Sequence, residues 1–163
     1  MDFTRIEQVQ YCGLRRHLTE MGQRLHVMRL VYTTLARYAE LSKDGTFTII
    51  GGGFQRLRVS DFPVTVPTLA LLIKIEADVK EHGDYRLELV LVDPNDARVD
   101  GGKGELPFSI DEDPDHREFT CLFQLYGLQF QRPGVHFFRI ALAGGLELGS
   151  AKLSIELPAG ERP

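Results

Sequence analysis

GTFTIIGGGFQRLRV, residues 45–59, sets three consecutive glycines in the middle of a hydrophobic, strand-forming run. Such a run either cradles a phosphate or bends a strand. A Walker-type loop requires Gly-Lys-Ser/Thr leading into a helix, and a dinucleotide fingerprint requires G-x-G-x-x-G leading into a helix. Here Gly51-Gly52-Gly53 is followed by Phe54-Gln55-Arg56-Leu57-Arg58-Val59, which alternates like a strand and offers an anion no helix N-terminus. The triplet therefore reads as a bend, because glycine alone takes positive φ without steric cost. GGKG at 101–104, followed by Glu105-Leu106-Pro107, fails the same test and reads as a flexible loop.

Outward from the bend the chain is patterned as strands. In TLALLIKIEA, Leu69, Leu71, Ile73 and Ile75 alternate with Ala70, Leu72, Lys74 and Glu76, and in DYRLELVLVD so do Tyr85, Leu87, Leu89 and Leu91 with their neighbours. One face of each run is wet and one is buried, which predicts antiparallel sheets rather than the apolar strands of a parallel α/β sheet. Turn formers separate the runs: KDG at 43–45, DPND at 93–96, RPG at 132–134 and AGG at 143–145. The fold class predicted is all-β, a two-sheet antiparallel β-sandwich of immunoglobulin, fibronectin or related type with about eight or nine strands. In LQFQRPGVHFFRIAL a Pro-Gly turn leads into His136, Phe138, Ile140 and Leu142 on one face. This resembles the corner of immunoglobulin-like sandwiches where a tyrosine hydroxyl bonds back to the backbone, with imidazole in place of phenol.

The period changes at Met28. Before it Phe3, Ile6, Val9, Leu14, Leu18, Met21, Leu25 and Met28 recur mostly at three- and four-residue intervals, the stripe of an amphipathic helix. Two parts are expected: a helical or loosely ordered N-terminal extension over 1–27 and a β-sandwich domain over 28–163. A natural product beginning at Met28 fits the same change of period.

ARYAELSKDGTFTIIGGGF (36–54), followed by TLALLIKIEA and YRLELVLVD, resembles the opening of an uncharacterised bacterial β-sandwich family, a domain of unknown function. Its members open with a short Ala-aromatic-Ala-acid strand, a Gly turn and an I-x-G-G-G bend. The resemblance covers roughly residues 28–157, implies a bacterial β-sandwich and brings no catalytic residues with it.

Composition narrows the partners. A formal charge of −4 over 163 residues, with 26% charged residues of both signs, leaves no basic stripe for a nucleic-acid backbone. No apolar run approaches the roughly 18–20 residues of a membrane-crossing helix, and Arg15, Arg16, Glu20 and Arg24 interrupt the N-terminal segment, so a cytoplasmic protein without a membrane partner is expected. Cys12 and Cys121 fit no C-x-x-C pattern, and Cys121, alternating with Phe119, Phe123 and Leu125, reads as a small buried hydrophobe. The histidines His17, His26, His82, His116 and His136 stand in no metal-ligand spacing, and no serine sits in G-x-S-x-G. No catalytic residue and no cofactor are therefore assigned. The acidic stretch DEDPDH supplies the one metal candidate, Asp111, Glu112, Asp113 and Asp115, whose carboxylates are the oxygen ligands Ca²⁺ takes, though a solvated acidic loop is the first reading. The function expected is a non-catalytic bacterial interaction or structural module with a protein partner, homo-oligomers included. The alternative is a Ca²⁺- or carbohydrate-binding sandwich using the Asp111–Asp115 loop.

Overall fold

In the computed structural model, residues 28–78, 81–111 and 117–158 are described, together with the backbone of residues 7–9. The strands among them are β1 (Glu7–Val9), β2 (Met28–Leu41), β3 (Phe47–Gly52), β4 (Arg56–Arg58), β5 (Val64–Ala77), β6 (Gly83–Val92), β7 (Arg98–Ile110), β8 (Glu118–Phe130), β9 (Gly134–Leu142) and β10 (Leu146–Glu156). They form two five-stranded sheets, ordered β1-β8-β5-β2-β3 and β4-β10-β9-β6-β7. Every pairing among them is antiparallel except β4 with β10.

The two sheets share one core. Leu69, Leu71, Ile73 and Ile75 of β5 and Phe123, Leu125 and Phe130 of β8 pack with Leu87, Leu89 and Leu91 of β6, Phe138 and Ile140 of β9, and Leu153 and Ile155 of β10. Each such side chain, fully buried, contributes on the order of 1.5–3 kcal/mol before chain entropy is set against it. Cys121 is buried among them, as its alternation with phenylalanine and leucine predicts.

The triglycine is where the chain changes sheets. β3 ends in Gly51 and Gly52 on one sheet, and β4 begins at Arg56 on the other. Gly51 (φ 60°) and Gly53 (φ 83°) take the left-handed conformation that such a turn needs, while a Cβ on Gly52 would stand 2.4 Å from the Ile49 Cγ2.

Three expectations are corrected. Residues 7–9 are strand rather than helix, running antiparallel to β8 opposite Gln124, Phe123 and Leu122. The ladder satisfies N–H and C=O groups along the edge of β8 that a helix would leave unpaired. The rest of the predicted helical extension lies outside the described residues. GGKG at 101–104 is not a loop but part of β7, with Lys103 opposite Val90 and Gly104 opposite Leu89. Glycine is required at 102 because a Cβ there would stand 2.6 Å from the Leu91 Cβ.

The third correction concerns β5, whose second face is dry at Ala70 and Leu72. β2 accounts for this: past Ala36 it parts from β5 and keeps only β3 as its neighbour. Its residues Ala36, Ala39 and Leu41 then close over Ala70 and Leu72 of β5 and Leu122 of β8 in a second apolar cluster. The Gln124 side-chain amide donates to the Ala39 carbonyl and ties β8 to the same bend.

Candidate functional site

The framework carries a polar cleft at one end of the sandwich and, along β3, an edge that no other described strand covers. The cleft, of about 190 Å³, lies where the β6–β7 turn meets the β8–β9 turn, and its lining includes Asp93, Arg98, Asp100, Gln129, Arg132 and His136. DPND folds the first turn as its sequence predicts. The Asp93 carboxylate accepts the backbone N–H groups of Asn95 (2.8 Å) and Ala97 (2.9 Å), and Asp96 takes φ 66°. Arg132 approaches Asp93 to 3.5 Å from the second turn. Burial pushes the Asp93 carboxyl up, but the two N–H bonds and the Arg132 charge, with His136 adding to them where it is protonated, outweigh it and hold the group below the usual carboxylate range.

His136 is fully buried, its ring edge-on to Phe130 at 4.9 Å and 88°. The back-bond anticipated from the corner pattern is made, Nδ1 lying 3.2 Å from the Gly134 carbonyl. A carbonyl only accepts, so Nδ1 carries the proton and Nε2 is left as a bare acceptor without a partner. Burial pulls the imidazole below its ordinary range; the Gly134 carbonyl and Asp93 oppose this, and Arg132 adds to it. The cleft lining contains two arginines and two aspartates but no Ser, Thr or Cys to act as nucleophile. Of its polar groups, Asp93, Arg132 and His136 are engaged in folding the corner.

Of the predicted calcium ligands, Asp111 is exposed and follows directly on β7. Glu112, Asp113 and Asp115 lie outside the described residues. Among the described residues no group of three or more His, Cys, Asp or Glu side chains could hold a metal ion.

The second place is the β2–β3 hairpin. Its turn, Ser42 to Thr46, is closed by the Gly45 N–H on the Ser42 carbonyl (3.1 Å) and by Asp44, whose carboxylate accepts the Thr46 hydroxyl (2.6 Å) and N–H (3.1 Å). These bonds hold Asp44 below the usual carboxylate range. The far side of β3 faces no other described strand. Ile50 is 58% exposed, Tyr38, directly opposite it on β2, is 44% exposed, and Phe47 is 42% exposed. The packing of Ala39 and Leu41 over β5 and β8 anchors this hairpin from beneath. Sequence reading found the bend but not the edge, because exposure of a strand edge depends on sheet order, which alternation does not encode.

Residues 31–156 match the model of a family of unknown function (DUF6941). No match is found among curated proteins. Among solved structures, a β-glucosidase from Listeria innocua is similar with a TM-score of 0.48 at 12% identity, over 83% of this chain and 17% of that one. Its complex with isofagomine gives 0.47 at the same identity and coverage. This chain thus spans 17% of the length of those enzyme chains, and the likeness carries no argument about function. No helix among the described residues is long and apolar enough to cross a membrane.

Proposed function

The chain belongs to that family of unknown function, and we propose that it is a non-catalytic interaction module that binds a protein partner by strand addition along β3. One observation carries this reading. Of the four edges that the described strands leave, formed by β1, β3, β4 and β7, β3 is the one without a charged residue, proline or extreme shortness of its own to protect it. Its six residues, Phe-Thr-Ile-Ile-Gly-Gly, present alternate N–H and C=O groups and exposed apolar side chains together.

The fold in this reading is an immunoglobulin-type sandwich. β2, β5 and β8 stand where strands A, B and E stand, and β7, β6, β9 and β10 where C′, C, F and G stand, with the His136 corner at the entrance to the F equivalent. β3 is then a strand added outside A. Cytoplasmic location and bacterial origin belong to the same proposal.

The test is a photo-crosslinking residue placed at position 50 or, as the control, at position 103 on β7, in cells that naturally make the protein. A covalent adduct with a polypeptide is expected from 50 and not from 103. Equal yields at the two positions, or none at 50, overturn the reading.

A further inference from the structure

We infer that the strand taken up by β3 is β3 of a second copy of this chain, the two running antiparallel about a two-fold axis through Ile50; the inference rests on the strand-addition reading above. Three features of the edge support a copy of itself rather than a foreign strand.

The first is shape. The segment reads Phe47-Thr48-Ile49-Ile50-Gly51-Gly52-Gly53, side chains in its first half and glycines in its second. With Ile50 opposite Ile50, paired residue numbers sum to 100, so Phe47 meets Gly53, Thr48 meets Gly52 and Ile49 meets Gly51. Every side chain before the axis finds a glycine on the mate, and the two-fold repeats each match on the other side. A Cβ at Gly53 would have nothing within 4 Å, so the space that the mate's Phe47 would take is open. Of the three glycines, Gly53 is the open receiver; Ile49 of the same copy fills the space over Gly52 and the Arg37 stem the space over Gly51, so the mate's Ile49 would pack on that stem.

The second is the row through the axis. Tyr38 pairs with Ile50 within one copy, so the symmetric pairing lines up Tyr38, Ile50, Ile50 and Tyr38 across four adjacent strands. Cross-strand neighbours on one face are the contacts that stabilise a sheet, and here they join the two most exposed apolar side chains of the hairpin.

The third is charge. The turn end of the hairpin carries Glu40, Lys43 and Asp44, a net negative group, while Arg37 stands at the other end. The Arg37 Cδ lies 3.1 Å from where a Gly51 Cβ would be, so its side chain lies against the glycine end of the strand. No carboxylate of the described residues forms an ion pair with Arg37. Antiparallel pairing sets the acidic end of each copy beside the Arg37 end of the other, whereas parallel pairing would set like ends together.

Sedimentation of the full chain over a range of concentrations tests this, together with one cysteine introduced at a time in a Cys12→Ser background, where the remaining Cys121 is buried. A reversible monomer–dimer equilibrium is expected, with association at least about tenfold weaker in Ile50→Lys and weakened in Arg37→Glu. Ile50→Cys falls on the axis, where the two Cα atoms stand about 4.5–5.5 Å apart, and is expected to give a disulfide-linked dimer on mild oxidation. Thr48→Cys lies four residues from its own symmetry mate, about 13 Å, and is expected to give none. A chain that remains monomeric, or disulfides forming as readily from Thr48→Cys as from Ile50→Cys, overturns the self-pairing. If that occurs while a crosslinker at 50 still captures a different polypeptide, self-pairing falls and strand addition stands. If position 50 captures nothing, both fall.

Discussion

β3 and β7 are both edge strands, one closing each sheet, and they meet water on opposite terms. β7 is thirteen residues long and would be the more dangerous edge, yet it is defended along its length. Lys103 and Glu105 stand 2.9 Å apart, Arg86 joins them at 3.5 Å, and Pro107 presents no N–H at all. The ladder to β6 is also broken by a register shift between Val90 and Val92. These devices discourage pairing with another chain. β3 has none of them, and its exposed row is apolar. On the strand-addition proposal the open edge is the binding one, and the strongest tests are those that make the two edges behave alike.

The largest effect is expected beneath β3. Leu72 lies in the second apolar cluster, under the bend that carries the hairpin across β5. Leu72→Ala should cost about 2–5 kcal/mol, the range for a buried leucine whose surroundings close only in part. Chemical denaturation measures it. A loss under about 1 kcal/mol would mean the hairpin is weakly packed on β5. The open edge would then belong to a loose flap, and the contrast with β7 would be one of mobility rather than of chemistry.

β7 has its own buried dependence, at Gly102. A Cβ there meets the Leu91 Cβ at 2.6 Å and the Val99 carbonyl oxygen at 2.9 Å, neither of which is the end of a flexible side chain. Gly102→Val is expected to destabilise by about 1–3 kcal/mol, as overpacking does. Gly45→Ala, at positive φ but with nothing within 4 Å, should lose only about 1 kcal/mol from backbone strain. Thermal melts of the two variants side by side check the order, and a reversal would show that β7 can move off β6.

Residue by residue, these contrasts explain what the sequence disclosed. The alternation in β5, β6 and β9 is readable because one face of each packs in the shared core, and burial at period two is what hydrophobic patterning records. The bend at Gly51–Gly53 is readable because only a turn or a phosphate loop uses three glycines, and the sequence after it rules out the second. Gly101 to Gly104 misled because glycines that admit a neighbouring strand look the same in sequence as glycines that loosen a loop. The dry outer face of Ala70 and Leu72 was hidden for another reason: its cover comes from β2, far back in the chain, and depends on where β2 parts from β5. His136 was legible as a corner, but its unpartnered Nε2 was not, since that depends on what surrounds the ring.

A smaller effect separates the two regions by pH. His136 stands beside the cleft that Arg98, Val99 and Asp100 of β7 help to line, and its neighbours there are Asp93 and Arg132. Burial keeps it neutral in the folded chain at pH values where the unfolded chain binds a proton. The unfolded state then holds more protons, and stability falls as pH drops below the ordinary histidine value of about 6.5. Above about pH 7 both states are neutral and the contribution vanishes. His136→Phe keeps the ring against Phe130 and should flatten the pH 5–7 slope of the melting midpoint relative to the wild type. Protection against amide exchange, taken relative to the slower intrinsic exchange at lower pH, should fall on acidification at Arg98–Asp100 before Phe47–Gly52. An unchanged slope in the variant would mean that another group titrates there.

The smallest effect is the one that most sharpens the contrast. Ile50 is mostly in water, so Ile50→Lys removes little burial and should change the stability of the dilute monomer by no more than about 0.5 kcal/mol. Association adds to apparent stability by mass action, and only the associated wild type gains from it. The melting midpoints of wild type and variant should therefore coincide at low concentration and diverge as concentration rises. Lys103→Ala on β7 should track the wild type throughout, since Pro107 and the register shift still blunt that edge. A constant gap between Ile50→Lys and wild type at every concentration would place the role of Ile50 within the folded chain and leave β3 no more an interface than β7.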